Sequence, residues 1–457
     1  MLGLALAFLA ASLAILASAA GAGAVTSSTL TEPQEQVLDY WTPERMANAR
    51  PLAPVSRTRS SAPGRTTAAR RAGKPTYVVG SEPGGALAPR LRQGGVGEQA
   101  GGGAQAGSHL PFTIRTIPDT SAYPTRTNGK VFASRPGVGD FVCSGTVVPG
   151  NTQSTVMTAG HCVFADVPGF ATNLIFVPGY NAGAEPHGRW VAKRLTAAPG
   201  FVNDDGNITV DVGAAELLPD AAGRRIEDVV GSRGVAFNQS RNQSVDAFGY
   251  PAAPAEGLPF SGELLWTCDT SYGGDDLATS GLAGPLTIRI GCPFTGGASG
   301  GGWVFGELSP GAGFLESVVS YGYPDEPDHL FGPYFGNAAR NVWVAAQDSC
   351  KGKLATHVGT DAAEKIVGTP GKDVIAANGG DDKVNGLAGN DRICGGDGAD
   401  KLGGGRGRDR LNGEGGRDTV NGGRGGDRLN GGSGRDVCGG GAGRDRDHDC
   451  EKTRSVP

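Results

Sequence analysis

An aspartate recurs at every ninth position over the last quarter of the chain, and this period constrains the fold more than any other feature. Glycines precede the aspartates, and one apolar residue, such as Ile393 or Leu411, follows most of them two positions later. Each nine-residue unit can supply a glycine turn and a short strand, but it cannot bury its apolar side chain alone. The period therefore predicts a stack of units that share one core. The recurring residues are Asp373, Asp382, Asp391, Asp400, Asp409, Asp418, Asp427, Asp436 and Asp445.

This unit resembles the calcium-binding nonapeptide of repeats-in-toxin proteins, G-G-x-G-x-D-x-U-x, for example in residues 431–438 (GGSGRDVC). The resemblance implies a parallel β-roll that binds Ca²⁺ through carboxylate and carbonyl oxygens, which suit a hard cation. Arginine occupies variable positions of the later turns, so we expect the turns from Asp373 to Asp400 to bind calcium better. A flexible glycine-rich tail is the alternative, and the registered apolar residues argue against it. The expected metal ligands are Asp373, Asp382, Asp391, Asp397, Asp400, Asp409, Asp418, Asp427 and Asp436.

The start of the chain and its cysteines indicate an exported protein. Residues 1–24 are apolar and uncharged, which is typical of a secretory signal peptide, although an uncleaved membrane anchor is the alternative. Eight cysteines in an exported chain indicate disulfides rather than metal ligands. A net charge of −5 gives no argument for a nucleic-acid partner. We therefore expect a secreted, extracellular protein.

Composition divides the rest of the chain into segments. Residues 25–118 are rich in Ala, Arg, Pro and Gly, a composition that predicts a partly disordered propeptide or linker. Residues 119–348 contain short apolar runs between Gly and Pro turns, which predict an all-β antiparallel barrel domain. Candidate strands include 141–148 and 208–212, and residues 337–347 are the one plausible helix near the domain's end. The remaining predicted segments are a linker at 349–358, the repeat domain at 359–450 and a tail at 451–457.

Three fragments of the β-rich region carry residues that fit nucleophilic catalysis. They are residues 157–162 (MTAGHC), 209–213 (TVDVG) and 295–303 (TGGASGGGW), which present His161, Asp211 and Ser299 in that order. A serine hydroxyl is a weak nucleophile, so His161 would take its proton and Asp211 would hold the imidazole. The glycines around Ser299 would let the N–H groups of Gly297 and Ser299 approach a developing oxyanion.

The order and context of these fragments resemble the chymotrypsin-like serine proteases, most closely the secreted bacterial branch that includes the glutamyl endopeptidases. The resemblance covers residues 120–347 and extends weakly into residues 40–46 (YWTPERM). It implies a double β-barrel, and peptide-bond hydrolysis through an acyl-enzyme that needs no cofactor. It also implies disulfides that join Cys143 to Cys162 and Cys268 to Cys292. The pairing of Cys350, Cys394, Cys438 and Cys450 stays open, and a bond between the last two would staple the final turn.

The family resemblance also suggests where substrate binds and how this chain departs from its relatives. Residues Ser320, Tyr321 and Gly322 correspond to the strand that lines the specificity pocket and pairs with substrate backbone. Val319 and Phe294 stand where glutamyl endopeptidases carry a histidine and a polar residue, so we expect an uncharged, apolar preference on the acyl side of the cut. Ala298 replaces the aspartate that pairs with a new N-terminus in trypsin, so removal of a pro-segment would act by another route.

Two other functions are compatible with parts of this sequence. A calcium-dependent adhesin or surface-binding protein would use the β-barrel only as a scaffold, and the complete triad argues against it. A serine esterase would share the same nucleophile. We expect protein or peptide substrates, with the repeats as a calcium-stabilised module that either stabilises the protease or attaches it to a cell surface or matrix.

Overall fold

The computed structural model describes most of the chain in separate ranges. Residues 1–24, the predicted signal peptide, lie outside these ranges, as does most of the segment 57–109. Among the helices within the described ranges, none is both long and apolar enough to span a bilayer. The described ranges are 25–52, 55–56, 73–84, 92–94, 110–166, 169–204, 206–255, 257–306, 312–347, 349–351, 353–359 and 363–454.

Six antiparallel strands close into a barrel at the start of the protease-like region. Its interior is filled by apolar side chains that alternate along the strands, among them Phe132, Val147 and Phe176, none of which is measurably exposed. Closure leaves no free edge within this barrel. In order around the barrel, the strands are Asn128–Arg135, Gly139–Val148, Thr155–Thr158, Gly213–Leu217, Trp190–Ala197 and Thr172–Pro178.

A second, larger sheet packs beside this barrel. Trp303, Ile290 and Phe305 are buried in its core, and the strand Thr113–Thr116 extends it along Trp266–Asp275. All pairs among its principal strands are antiparallel except one, in which Gly234–Phe237 runs parallel to Phe314–Val318. Its principal strands are Gly234–Phe237, Ser244–Gly249, Trp266–Asp275, Ile288–Gly291, Gly302–Phe305, Phe314–Val318, Tyr321–Gly322 and His329–Gly332.

Short helices and turns connect these sheets. The predicted C-terminal helix is confirmed as Asn337–Ala345, and it buries Trp343 against the first barrel. A small hairpin pairs Phe164–Ala165 with Gly169–Phe170, and another pairs Ser349–Cys350 with Lys353–Leu354. The other helices in the described part of this region are Gly160–Val163, Pro199–Asn203 and Ile226–Val230, with 3₁₀ turns at Thr125–Thr127, Ile208–Val210 and Leu277–Thr279.

One predicted strand, residues 208–212, is wrong. The structure has the 3₁₀ turn Ile208–Val210 there, directly before Asp211. Asn207 caps this turn, because its Oδ1 accepts hydrogen bonds from the backbone N–H and the hydroxyl of Thr209. A capping asparagine therefore overrides the strand preference of the β-branched residues that follow it.

Part of the N-terminal region docks on the first barrel. Val37, Trp41 and Met46 are buried in the core of the first barrel, and Trp41 Nε1 donates to the carbonyl of Asn173 at 2.6 Å. A few apolar side chains at suitable spacing are sufficient for docking, although they hardly affect the average composition. The elements before residue 95 are the helices Gln34–Tyr40 and Pro43–Asn48 and the strands Thr26–Thr29, Arg50–Pro51, Val55–Ser56, Thr76–Val78 and Arg92–Gln93.

The nonapeptides form a β-roll of two parallel six-stranded sheets, so the predicted fold class, all-β with antiparallel barrels followed by a parallel roll, is confirmed. Strands that pair directly are 18 residues apart, as in Ile393 with Leu411, so two nonapeptides make one turn. The first sheet contains His357–Val358, Val374–Ala376, Arg392–Asp397, Arg410–Gly416, Arg428–Gly434 and Arg446–His448. The second contains Lys365–Val367, Lys383–Asn385, Lys401–Arg406, Thr419–Arg424, Val437–Ala442 and Lys452–Arg454.

Glycine is required where successive turns of the roll approach closely. At Gly396 the backbone φ is 105°, and a Cβ there would lie 1.6 Å from the carbonyl oxygen of Asn378. No other residue avoids that overlap. The apolar residues Ile375, Val384, Ile393, Leu402, Leu411, Val420 and Leu429 form the roll's core, as the registered pattern predicts.

All eight cysteines form disulfides. The two pairs implied by the family resemblance, Cys143 with Cys162 and Cys268 with Cys292, are confirmed. Cys438 pairs with Cys450, which supports the predicted staple of the last turn. The sequence left Cys350 and Cys394 open, and the structure joins them across a separation of 44 residues. This last bond ties the roll to the hairpin that follows the protease-like region.

Candidate functional site

His161 and Asp211 meet on one side of the first barrel. His161 lies in the short helix Gly160–Val163, which follows a barrel strand, and Asp211 follows the capped 3₁₀ turn. Nδ1 of His161 lies 2.8 Å from Oδ2 of Asp211, and the backbone N–H of His161 donates to Oδ1 at 2.8 Å. The carboxylate therefore fixes both the ring and the main chain of the histidine, which leaves Nε2 as the free ring atom.

The carboxylate of Asp211 is fully buried, yet it stays ionised. Burial raises its pKa, but the charge on His161 and the hydrogen bonds from His161 and Ser320 outweigh that effect, so the pKa of Asp211 is lowered. Ser320 contributes a bond of 2.6 Å from its Oγ to Oδ2. The expected role of Ser320 in pairing with substrate backbone stays a prediction, and its hydroxyl supports Asp211.

Ser299 lies on a turn that glycines make possible. Gly297 and Gly300 have φ values of 94° and 81°, and a Cβ at Gly300 would lie 2.0 Å from Oγ1 of Thr158. Ser299 itself is fully buried. Its Oγ and Nε2 of His161 are both buried, and neither atom has a hydrogen-bond partner in the part of the chain that the structure describes. Both atoms are therefore available for proton transfer.

Ser144 orients the loop before Ser299, and no sequence motif indicates this role. Its Oγ donates to the carbonyl of Gly297 at 2.9 Å and accepts from the N–H of Tyr250 at 3.0 Å. Its backbone N–H donates to the carbonyl of Ser299 at 2.7 Å. These bonds fix the directions of the carbonyl groups on both sides of the turn. A second unexpected contact comes from Arg135, whose guanidinium donates to the carbonyl of His161 at 3.0 Å.

A piece of the N-terminal segment occupies the cleft beside Ser299. The N–H of Gly297, an expected oxyanion donor, is 3.3 Å from the carbonyl oxygen of Leu52, while the N–H of Leu52 donates to Val142 at 3.2 Å. On one side, Arg50–Pro51 pairs in parallel with Phe141 and Val142 of the first barrel. On the other, Val55–Ser56 pairs in parallel with Tyr321–Gly322, the expected substrate-binding strand. Backbone groups that would recognise a peptide are therefore engaged by the chain itself.

The remaining expected substrate-binding residues lie in the second sheet. Phe294 is buried, and its ring packs 6.2 Å from that of Phe260. Tyr321 directs its hydroxyl into the protein, where it donates to Asp276 at 2.5 Å, so only its backbone and that of Gly322 face the cleft segment. Because the side chains of Phe260 and Phe294 are apolar, they offer no partner for a charged side chain.

The aspartates of the roll form two buried columns. From Asp391 to Asp445, each Oδ1 accepts the N–H of the aspartate 18 residues earlier, for example Asp400 from Asp382 at 2.9 Å. Burial raises the pKa of Asp400 and Asp418 to about 6. In eight of these residues Oδ2 is buried without a hydrogen-bond partner among the described residues. They are Asp382, Asp391, Asp400, Asp409, Asp418, Asp427, Asp436 and Asp445.

From Asp391 to Asp436, a glycine five residues earlier lets each orphaned Oδ2 approach the backbone closely. A Cβ at Gly395 would lie 2.2 Å from Oδ2 of Asp400 and 2.7 Å from the carbonyl oxygen of Gly413. Carboxylate and carbonyl oxygens are the ligands that Ca²⁺ takes, so the oxygens gathered here suit this cation. A bound cation would offset the cost of burying the carboxylates.

Two of the expected calcium ligands differ from the rest. Both oxygens of Asp373 lie near Thr369, whose N–H donates to Oδ2 at 2.6 Å, so this carboxylate is already satisfied. Asp397 is exposed and lies outside the buried columns. Asp445, which we did not include among the expected ligands, has the same orphaned Oδ2 as the column members.

A known family model matches the repeats of the roll. The family model "RTX calcium-binding nonapeptide repeat (4 copies)" matches residues 358–393, 395–429 and 412–447. The repeats therefore bind Ca²⁺, as expected from the sequence.

Solved structures resemble about half of this chain. Protease Anisep from Arthrobacter nicotinovorans is 38% identical, with 52% of this chain and all of that chain covered, at a TM-score of 0.46. The thermostable serine protease AL20 from an extremophilic microorganism is also 38% identical, with 49% of this chain and 97% of that chain covered, at a TM-score of 0.43. A curated protein, "Extracellular metalloprotease" of Bacillus subtilis (strain 168), is 28% identical over 102 residues, which are 22% of this chain. The match spans 31% of that relative's length.

Proposed function

We propose that this chain is a secreted serine endopeptidase of the chymotrypsin-like family, with a calcium-stabilised C-terminal roll. The observation that carries the proposal is the bond between Asp211 and His161 beside a buried Ser299 whose hydroxyl has no partner among the described residues. Buried hydroxyls with a structural role are usually hydrogen-bonded. A nucleophile must instead keep its hydroxyl available for proton transfer.

In the proposed reaction, Nε2 of His161 takes the proton of Ser299 while Oγ attacks the substrate carbonyl. The Oδ2 contact would hold the ring with Nε2 free to accept the proton, and the negative charge of Asp211 would stabilise the imidazolium that forms. His161 then returns the proton to the leaving amine, and an acyl-enzyme remains on Ser299. Water activated by the same histidine releases the second product.

The N–H groups of Gly297 and Ser299 would receive the oxyanion in this scheme. Support comes from Gly297, whose N–H already donates to a carbonyl oxygen, that of Leu52, and whose own carbonyl is fixed by Ser144. One such donor contributes about 3 kcal/mol to transition-state stabilisation. Substrate backbone would pair with Tyr321 and Gly322, and the apolar Phe294 favours an uncharged residue on the acyl side.

A metalloprotease mechanism is the alternative that the Bacillus subtilis relative raises. Within the described residues, the one group of His, Cys, Asp and Glu side chains close enough to share a metal is Cys143, His161 and Cys162. Because its two cysteines are joined in a disulfide, they offer no thiolate, and the imidazole alone is left as a ligand. The ligand chemistry therefore favours the serine mechanism.

We further propose that residues 25–118 act as a propeptide, so that the full chain is a zymogen. The contacts of Leu52 with Gly297 and of Val55–Ser56 with Tyr321–Gly322 support this role, because a substrate needs the same backbone groups. Ala298 offers no carboxylate for a new N-terminus, so activation would consist of clearing the cleft. Residues 1–24 would be removed earlier as the signal peptide.

Calcium would complete the roll after export. The column carboxylates Asp382 to Asp445 and the glycine carbonyls opposite them would hold it, and the ion supplies positive charge that permits their burial. A medium poor in calcium would leave these carboxylates uncompensated. The roll is thereby coupled to the extracellular environment.

The decisive experiment compares the processed protein with Ser299→Ala on a mixed peptide library, in calcium, with cuts identified by mass spectrometry. Ser240→Ala, at an exposed serine, is the matched control. We expect cuts after uncharged residues with the native protein and the control, and none with Ser299→Ala. A serine-directed fluorophosphonate should abolish cutting, whereas phenanthroline, a zinc chelator, should not.

Other outcomes separate the competing functions. Loss of cutting with phenanthroline but not with the fluorophosphonate would establish the metalloprotease. Rapid hydrolysis of short-chain esters without any peptide cut would establish an esterase. If native and variant proteins were both inactive on peptides and on esters, the adhesin would be the remaining hypothesis, in which the barrels are only a scaffold.

A further inference from the structure

One outer face of the roll carries a column of arginines. The register of the first roll sheet stacks Arg392, Arg410, Arg428 and Arg446 on successive strands. Adjacent strands are about 4.8 Å apart, so the positive charges of neighbouring arginines repel each other and destabilise the folded roll. None of the four forms a salt bridge within the described part of the chain. Burial and the neighbouring charge of Arg410 lower the pKa of Arg392, which reflects this crowding.

A second column of polar side chains runs beside the arginines on the same face. Cys394, Asn412, Asn430 and His448 lie two residues after the respective arginines, and side chains two apart on a strand share a face. Asn412 is 7% exposed, and its Nδ2 has no hydrogen-bond partner among the described residues. Oδ1 of Asn430 is orphaned as well. A buried amide without a partner costs stability, so these atoms point to a ligand.

The two columns line a groove of about 440 Å³. The disulfide between Cys350 and Cys394 holds the hairpin that contributes Lys351 to its wall. Four arginines and Lys351 face one carboxylate, that of Asp447, among the residues that line the groove. Lys351 is partly neutralised, because its Nζ lies 3.0 Å from Glu414. The groove therefore combines an extended positive potential with amide groups that lack partners.

We propose that this groove binds a linear acidic polysaccharide, with its carboxylate or sulfate groups on the arginine column and its hydroxyls on Asn412 and Asn430. A planar guanidinium matches a carboxylate or sulfate through two parallel bonds. An amide can both donate to and accept from a hydroxyl. Four strands span about 14 Å, which suits an extended polymer with several charges rather than a single ion.

Other polyanions fit this groove less well. Single-stranded nucleic acids bind through stacking of their bases on aromatic side chains, and no Phe, Tyr or Trp lines the groove. Acidic peptides would satisfy the arginines but present no hydroxyl row to the asparagine column. The proposal concerns the roll alone, so it stands or fails independently of proteolysis by Ser299.

Titration of the full chain in calcium with oligogalacturonate and, separately, with heparin oligosaccharides tests the proposal and separates uronate from sulfate recognition. Arg410→Gln/Arg428→Gln should weaken binding about tenfold or more, because two charge-assisted contacts are lost. Arg406→Gln/Arg424→Gln is the matched control, since these exposed arginines are in register on the opposite sheet and carry the same charge. It should leave the affinity nearly unchanged. Asn412→Ala should weaken binding without changing charge.

Several results would overturn the proposal. Failure to bind both oligosaccharides would do so directly. If both double variants weakened polysaccharide binding equally, the binding would depend on diffuse electrostatic attraction and not on this groove. Tighter binding of single-stranded DNA than of either oligosaccharide would identify a nucleic-acid surface instead. Calcium-dependent melting of each variant, measured in parallel, shows that the roll is folded, and unaltered melting with weakened binding supports the proposed groove.

Discussion

The hydroxyl of Ser320 donates a hydrogen bond to Oδ2 of Asp211 at 2.6 Å, and the same oxygen lies 2.8 Å from Nδ1 of His161. Ser320 follows a strand of the second sheet, whereas His161 and Asp211 belong to the first barrel. One buried carboxylate oxygen therefore joins the two sheets. Bonds to an ionised acceptor are the stronger kind, so this contact holds the carboxylate in one orientation.

Ser320→Ala should lower kcat about tenfold and change KM little, because Asp211 would lose a bond that positions it without losing substrate contacts. Ser320→Thr, which keeps a hydroxyl, should recover part of the loss. Ser317→Ala is the control, since Ser317 is equally buried but donates to the carbonyl of Pro333 at 2.9 Å. Steady-state kinetics on a peptide substrate measures all three. Equal losses in Ser317→Ala and Ser320→Ala would mean that the serine only supports packing.

A synthetic peptide of residues 48–58 should inhibit the processed enzyme competitively, because it contains the backbone groups that pair with Val142, Gly297 and Tyr321 in the full chain. Replacement of Leu52 by proline removes the N–H that donates to Val142 and should weaken inhibition about tenfold. Inhibition constants from progress curves give the comparison. A scrambled peptide of equal potency would contradict a specific contact at the cleft.

Asp400→Asn and Asp397→Asn form a matched pair for the calcium sites. Asp400 belongs to a buried column and has an orphaned Oδ2, whereas Asp397 is exposed. Asparagine at position 400 retains Oδ1 for the N–H of Asp382 but loses the charged second oxygen. We expect the rise in melting temperature that calcium gives to shrink in Asp400→Asn and to persist in Asp397→Asn. Identical calcium responses in the two variants would remove Asp400 from the ligand set.

Glu227 should make the protease domain less stable as the pH rises. It is buried, and burial raises the pKa of Glu227 to about 8, although the N–H of Gly150 and the hydroxyls of Ser232 and Ser81 donate to it. The folded state then holds a proton that the unfolded state, in which the carboxyl has its ordinary pKa of 4.5, releases. Stability from this group is full below the unfolded value and is lost as the pH rises towards 8.

Glu227→Gln should flatten that decline, because a neutral amide has no proton to lose. Melting temperatures of the native protein and the variant between about pH 5 and pH 8 provide the measurement. Asp325→Asn, at an exposed carboxyl, should follow the native curve. Parallel curves for the native protein and Glu227→Gln would place the pH dependence elsewhere in the domain.

The elements that sequence predicts well here are those set by local or periodic patterns. Leu411 and its counterparts form the roll core because their period of nine fixes their register without knowledge of the rest of the chain. His161 and Asp211 meet as expected because short motifs hold them on rigid elements. The predicted strand at 208–212 failed because Asn207 makes a local capping bond that strand propensity does not include.

Contacts between distant segments were beyond prediction. Leu52 meets Gly297 only after the N-terminal helices have docked on the first barrel, and nothing in the sequence near Leu52 marks it. The bond from Ser144 to the loop before Ser299 depends likewise on how two sheets pack. Cys350 and Cys394 could each pair with other cysteines, and only the path of the roll brings them together.

The pairing of strands 18 residues apart limits how this roll can change in length during evolution. Gain or loss of a single nonapeptide would transfer every later strand to the opposite sheet. If one nonapeptide were gained just before Arg428, for example, that arginine would no longer pair with Arg410 on the first sheet. It would pair with Thr419 on the second sheet instead. Duplications in pairs of nonapeptides lengthen both sheets and keep each surface intact. Related chains should therefore differ by even numbers of repeats wherever one face of the roll is under selection.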